Sequence, residues 1–200
     1  MIHFYRELPE GYALVREVDA IQNKKIAIGM NIAALVLMLA ALAAGFWLRF
    51  GVMDGTIEGT LDLPHTWPFL LGYLGSMLLY MVLHELLHGV VYKALTGEKL
   101  TFGLSWSCAY CGVPHIYVTR RTALLALLAP FTVFTVLLLP LIFVWNGAPA
   151  ILCLLLFATH FGGCAGDLYV TYLLLFRLKG DLLMQDTGPK QSFYLKKSEE

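Results

Sequence analysis

Two hundred residues suffice for one compact domain and are too few for two typical ones. With 58% apolar and only 14% charged residues, and a mean hydropathy of +0.70, the chain lacks the charge that a water-soluble domain needs to cover its surface. Fourteen basic side chains balance fourteen acidic ones, so net charge gives no reason to expect nucleic acid, and the bilayer is the expected solvent.

In chain order, an amino-terminal arm holding Arg6, Arg16, Lys24 and Lys25 leads into a first apolar span over residues 26–48, in which Asn31 is the strongly polar member. This span is too long for a signal-peptide core and follows acidic residues, so it is expected to be retained. The next loop carries Arg49 against Asp54, Glu58 and Asp62. Spans two, three and four cover 67–92, 122–145 and 149–176, each near the ~20 residues that cross a hydrocarbon core of ~30 Å. The third contains Pro130 and Pro140. Lys93, Lys99, Arg120 and Arg121 flank the middle loop, and Arg177, Lys179, Lys190, Lys196 and Lys197 fill the tail. The positive-inside rule therefore places both termini and the middle loop in the cytosol of a multi-pass cell-membrane protein, with Trp47, Trp67 and Trp145 in an outer aromatic belt.

In the middle loop Phe102, Leu104 and Trp106 alternate with small residues, and Ile116 and Val118 alternate with Tyr117 and Thr119. Period two predicts a short hairpin turned around Cys108 to Pro114. Its edge could hold an extended peptide, or it could simply connect two helices. The expected architecture is a single domain over 1–200: an all-α membrane protein of four transmembrane helices with this hairpin between the second and third. Cys108 and Cys111 have C-x-x-C spacing, but no second pair completes a four-sulfur site, and ordinary loop residues are expected. His115 nearby could touch substrate; His3 and His65 read as surface residues.

The chemistry concentrates in the second span, where His84-Glu85-Leu86-Leu87-His88 has the spacing His-Glu-x-x-His. On a helix the two imidazoles share a face one turn apart and can reach one metal, with Glu85 beside them as general base for a metal-activated water. Counting back from Lys93 at ~1.5 Å per residue puts the histidines roughly 7 to 14 Å inside the cytosolic end. Intramembrane charge costs ~2.5–3.5 kcal/mol on insertion scales, so such residues usually mark function rather than polar packing. A catalytic zinc takes three protein ligands and an open position. The candidates for the third are Asp167, His160, His115, Asp181 and Asp186. Asp167 lies ~15 Å from the cytosolic end, near the depth of His84, whereas His160 lies ~25 Å away, near the outer face. The small residues 162–166, with Gly162 and Gly166 in a G-x-x-x-G relation, would let the fourth span approach the second closely. Cys164, one turn from Asp167, is expected to pack in the core, and His160 to serve a structural or water-contacting role.

Leu8-Pro9-Glu10-Gly11-Tyr12, His84 to Gly89, Leu128-Ala129-Pro130-Phe131, Gly163-Cys164-Ala165-Gly166-Asp167 and Asp186-Thr187-Gly188 together resemble the zincin-type membrane metallopeptidases of bacteria, which are distantly similar to site-2 proteases. The resemblance implies His84 and His88 as zinc ligands, Asp167 as third ligand, Glu85 as general base, and cleavage of membrane protein or peptide substrates. Asp167 is flanked by Gly166 and Leu168, a departure from the Leu-Asp-Gly of site-2 proteases that bears on how substrate would be positioned. Two other functions fit the same residues. One is a non-catalytic zinc-dependent binding or chaperone protein; the other is a small transporter, for which four spans without repeats are a poor match.

Overall fold

A computed structural model describes residues 4–52, 66–104 and 109–197; His3, Asp54, Glu58, Asp62, His65, Trp106 and Cys108 lie outside the described residues. Four helical segments are long and apolar enough to cross a membrane: Lys24–Gly51, Trp67–Thr96, Arg120–Val144 and Ala148–Arg177. They match the spans expected from the sequence to within a few residues and suggest a multi-pass membrane protein. Large apolar side chains stand exposed along them, among them Ile32, Leu71, Leu78 and Val136.

Local chemistry sets the helix boundaries. Helix α1, Lys24–Phe46, begins where the Asn23 side chain accepts the backbone N–H groups of Lys25 and Ile26. Helix α2, Thr66–Thr96, ends on Gly97 at φ +69°, whose N–H returns to the Lys93 carbonyl. Helix α3, Arg120–Val144, continues through both prolines. The fourth span is not one helix. Helix α4, Ala148–Gly163, stops at Cys164, whose ψ of 1° leaves the helical path, and α5, Ala165–Tyr172, resumes after it and closes in a π-helical turn over Leu173–Arg177.

The chain forms two compact units, one of residues 1–30, 83–130 and 167–200, the other of 31–82 and 131–166. The first is built on a five-stranded antiparallel sheet, which corrects the all-α expectation. Its strands are β1 (Phe4–Tyr5), β2 (Tyr12–Asp19), β5 (Tyr117–Thr119), β6 (Leu182–Asp186) and β7 (Lys190–Lys196), in the order β1-β5-β6-β7-β2. Val118, Met184 and Phe193 from three of these strands are wholly buried, with Ile116 and Leu174 beside them.

The hairpin also differs from expectation. Strand β3, Thr101–Leu104, pairs with β4, Ala109–Gly112, with Thr101 opposite Gly112 and Leu104 opposite Ala109, while residues 117–119 join the larger sheet. The reason is burial: Ile116 and Val118 find a core against β6 that a two-stranded hairpin cannot supply. Position 112, the last of β4, needs glycine because a Cβ there would lie 2.5 Å from the Gly188 nitrogen.

Arg120 secures the end of the fourth span within this unit. Its guanidinium donates to the carbonyls of Leu174 in the final turn, Leu178 at the cap and Gly180 just beyond it. Arg120→Ala is expected to lower the stability of the purified protein by about 1.5–3 kcal/mol, the usual worth of hydrogen bonds to a charged group. A thermal melt in detergent reads this as a clear drop in Tm; an unchanged Tm would deny the guanidinium this role.

In the second unit α1 and α4 approach closely, since a Cβ on Gly45 would lie 2.6 Å from Leu154 Cδ1. The glycines of the fourth span divide their roles. Gly162 rests against the Ala34 carbonyl of α1, Gly163 faces the Tyr80 ring of α2, and Gly166 meets nothing within 4 Å. Gly166, beyond the break at Cys164, therefore contributes no close approach of its own.

Candidate metal centre

Helix α2 carries His84 and His88 one turn apart, both buried, with ring centroids 4.9 Å apart and Nε2 atoms 3.2 Å apart. Asp167, in the first turn of α5, brings Oδ2 to 3.1 Å from His84 Nε2 and 3.4 Å from His88 Nε2. Three donor atoms from two helices thus form a nearly equilateral triangle. Ligands at about 2.0–2.1 Å from a tetrahedral zinc lie about 3.3 Å from one another, so this triangle fits three corners of such a shell. Two imidazoles and a carboxylate are also a donor set that suits zinc. His88 Nδ1 donates to the Ala126 carbonyl at 2.9 Å, which assigns the proton to Nδ1 and turns the Nε2 lone pair toward the triangle.

Glu85 is half-buried beside these rings, with a carboxylate oxygen within 4.8 Å of the histidine donor atoms. The backbone N–H of Cys111 in β4 is an electrostatic neighbour of its carboxylate. The small hairpin reaches this position because residue 89 is glycine: a Cβ there would meet Phe102 Cζ at 2.9 Å and Cys111 Sγ at 3.3 Å. β4 is paired with β3 alone among the described residues.

One turn beyond His88, the buried Tyr92 hydroxyl donates to Asp186 Oδ2 at 2.7 Å. The other carboxylate oxygen accepts the Gly188 N–H at 2.9 Å, and the Asp186 carbonyl accepts the Val113 N–H at 2.8 Å. Burial pushes the Asp186 carboxyl up in pKa, while the bonds from Tyr92 and Gly188 pull it back. This knot ties α2, β6 and the segment after β4 together. Tyr92 was not among the residues singled out from the sequence, although 84, 88 and 92 form an i, i+4, i+8 ladder that could have revealed it.

The remaining carboxylate and histidine candidates have other partners or stand exposed. Asp186 serves the knot, Asp181 accepts the Tyr12 hydroxyl at 2.6 Å, and His115 is exposed. His160 is wholly buried within the second unit, between Thr135 Oγ1 at 3.0 Å and the Tyr80 hydroxyl at 3.1 Å, and is ringed by Phe131, Phe134 and Phe161. It is structural there, not a water-contacting surface group. Cys164 is buried with Sγ 3.5 Å from His160 Nδ1. The Cys111 thiol, buried, has its pKa pushed up to about 12 by that burial and by the nearby Asp186 and Glu85 charges, so it stays protonated.

A helical chain of membrane-crossing character, with two histidines of one helix and an aspartate of another converging beside a glutamate, has the organisation of a metal-dependent hydrolase. The chain belongs to the putative zincin peptidase family, whose profile matches residues 77–182, just over half of its length and all four of these side chains. That membership suggests a metallopeptidase and implies zinc. No match to a curated protein or to a solved structure was found.

Proposed function

We propose that the protein is a membrane-embedded zinc metalloprotease, similar to site-2 proteases, that hydrolyses peptide bonds of membrane or membrane-adjacent substrates. The observation that carries this reading is the triangle of His84, His88 and Asp167 with Glu85 at its side. The three ligands would hold the zinc, which when bound lowers the pKa of water towards about 7 and polarises a scissile carbonyl. Glu85 takes the proton from the attacking water and passes it to the leaving amine. Strand β4, paired on one side only among the described residues, offers backbone groups along which an extended peptide could lie next to Glu85.

The membrane setting and orientation belong to the same proposal. Every Lys and Arg except Arg49 falls in the first unit, which gathers both terminal arms and the middle loop. β1, β2, β5, β6 and β7 join those three segments in one sheet, as a common cytosolic side requires.

Purified protein in lipid discs, offered a panel of membrane-segment peptides, tests the activity. Cleavage that disappears with a chelator and returns with zinc supports the protease. Bound zinc without cleavage on a broad panel would favour a zinc-dependent binding or chaperone role, and Asp167-dependent ion flux in liposomes would favour a transporter.

A further inference from the structure

In an α-helix the carbonyl of residue i accepts the N–H of residue i+4. Helix α3 contains the buried Pro130, which has no N–H to give and whose ring crowds the carbonyl four residues back. That carbonyl belongs to Ala126, which is wholly buried, and it is the one that accepts His88 Nδ1 at 2.9 Å. The acceptor left over by the proline and the donor left over by the metal-facing imidazole satisfy each other. An alanine at 130 would return an N–H to the helix ladder, and the Ala126 carbonyl would then turn along the helix axis toward it. His88 would share or lose its anchor, and with it the fixed Nδ1–H tautomer that leaves Nε2 to face His84 and Asp167.

We propose that Pro130 is a positioning residue of the metal centre: by withholding a helical N–H it reserves the Ala126 carbonyl for His88. The inference rests on His88 being a metal ligand. It gives Leu128-Ala129-Pro130-Phe131 a function at the site without direct contact to the metal, and it separates Pro130 from Pro140, which lies ten residues further along the same helix.

The test measures zinc affinity of the purified full chain by competition with a chromophoric chelator, alongside the melting temperature of the metal-free protein. Pro130→Ala is expected to weaken zinc binding about 10- to 100-fold, the usual effect of losing an outer-shell partner of a metal-bound histidine. The metal-free Tm should hold or rise, since the helix gains a hydrogen bond. Pro140→Ala should bind zinc like the wild type. An α-hydroxy acid at position 130, which has neither ring nor N–H, should also retain wild-type affinity, and it decides the question if Pro130→Ala fails to fold. Unchanged affinity in Pro130→Ala, an equal loss in Pro140→Ala, or a loss in the ester variant would each overturn the proposal. Wild-type protein that binds no zinc would instead overturn the assignment of His88 as a ligand.

Discussion

Replacing Glu85 by Gln is expected to reduce peptide hydrolysis by about 10²- to 10⁴-fold or more while leaving bound zinc unchanged. The amide keeps the size of the carboxylate, so the surrounding packing has no reason to shift. What the substitution removes is the capacity to take up a proton. Glu85 is not one of the three atoms of the ligand triangle, so metal content should not follow activity downward. Measuring turnover and zinc stoichiometry on the same preparation separates the two effects. Near-wild-type turnover would mean that another group moves the proton; parallel loss of zinc would mean that Glu85 helps to hold the metal.

Asp167→Ala should have the opposite signature. It removes a donor atom that lies 3.1 and 3.4 Å from the two imidazole nitrogens and leaves only the histidines of α2. Loss of an outer-shell partner alone typically costs 10- to 100-fold in metal affinity, so loss of a direct ligand should exceed about 100-fold. The variant should emerge from purification without zinc and without activity. Full stoichiometry in Asp167→Ala would remove this residue from the site and reopen the choice among the remaining donors.

The parts of this account that were legible in the sequence are those with a short physical period. Apolar runs of bilayer length gave the four spans, and the four-residue spacing of His84 and His88 gave one face of a helix. Asp167 was reached through depth, because the second and fourth spans run in the same direction. What the sequence hid was non-local. Strand β2 pairs with β7, joining residues near opposite ends of the chain, Tyr12 with Lys196 and Asp19 with Lys190. β6 is apolar at Leu182, Leu183 and Met184 in succession, so it shows no alternation that would announce a strand. The glycine run was legible only in part. A G-x-x-x-G relation presumes an unbroken helix, and the turn at Cys164 removes that premise. His160 looked like a group close to the outer surface, yet the aromatic rings that enclose it come from α2, α3 and α4, an enclosure no linear pattern displays.

The most direct test of the central geometry is X-ray absorption at the zinc edge on purified wild-type protein. The triangle predicts a first shell of nitrogen and oxygen at about 2.0–2.1 Å, with the outer-shell scattering of two imidazoles and no sulfur at about 2.3 Å. A sulfur shell, a single imidazole, or protein that retains no zinc at all would contradict it.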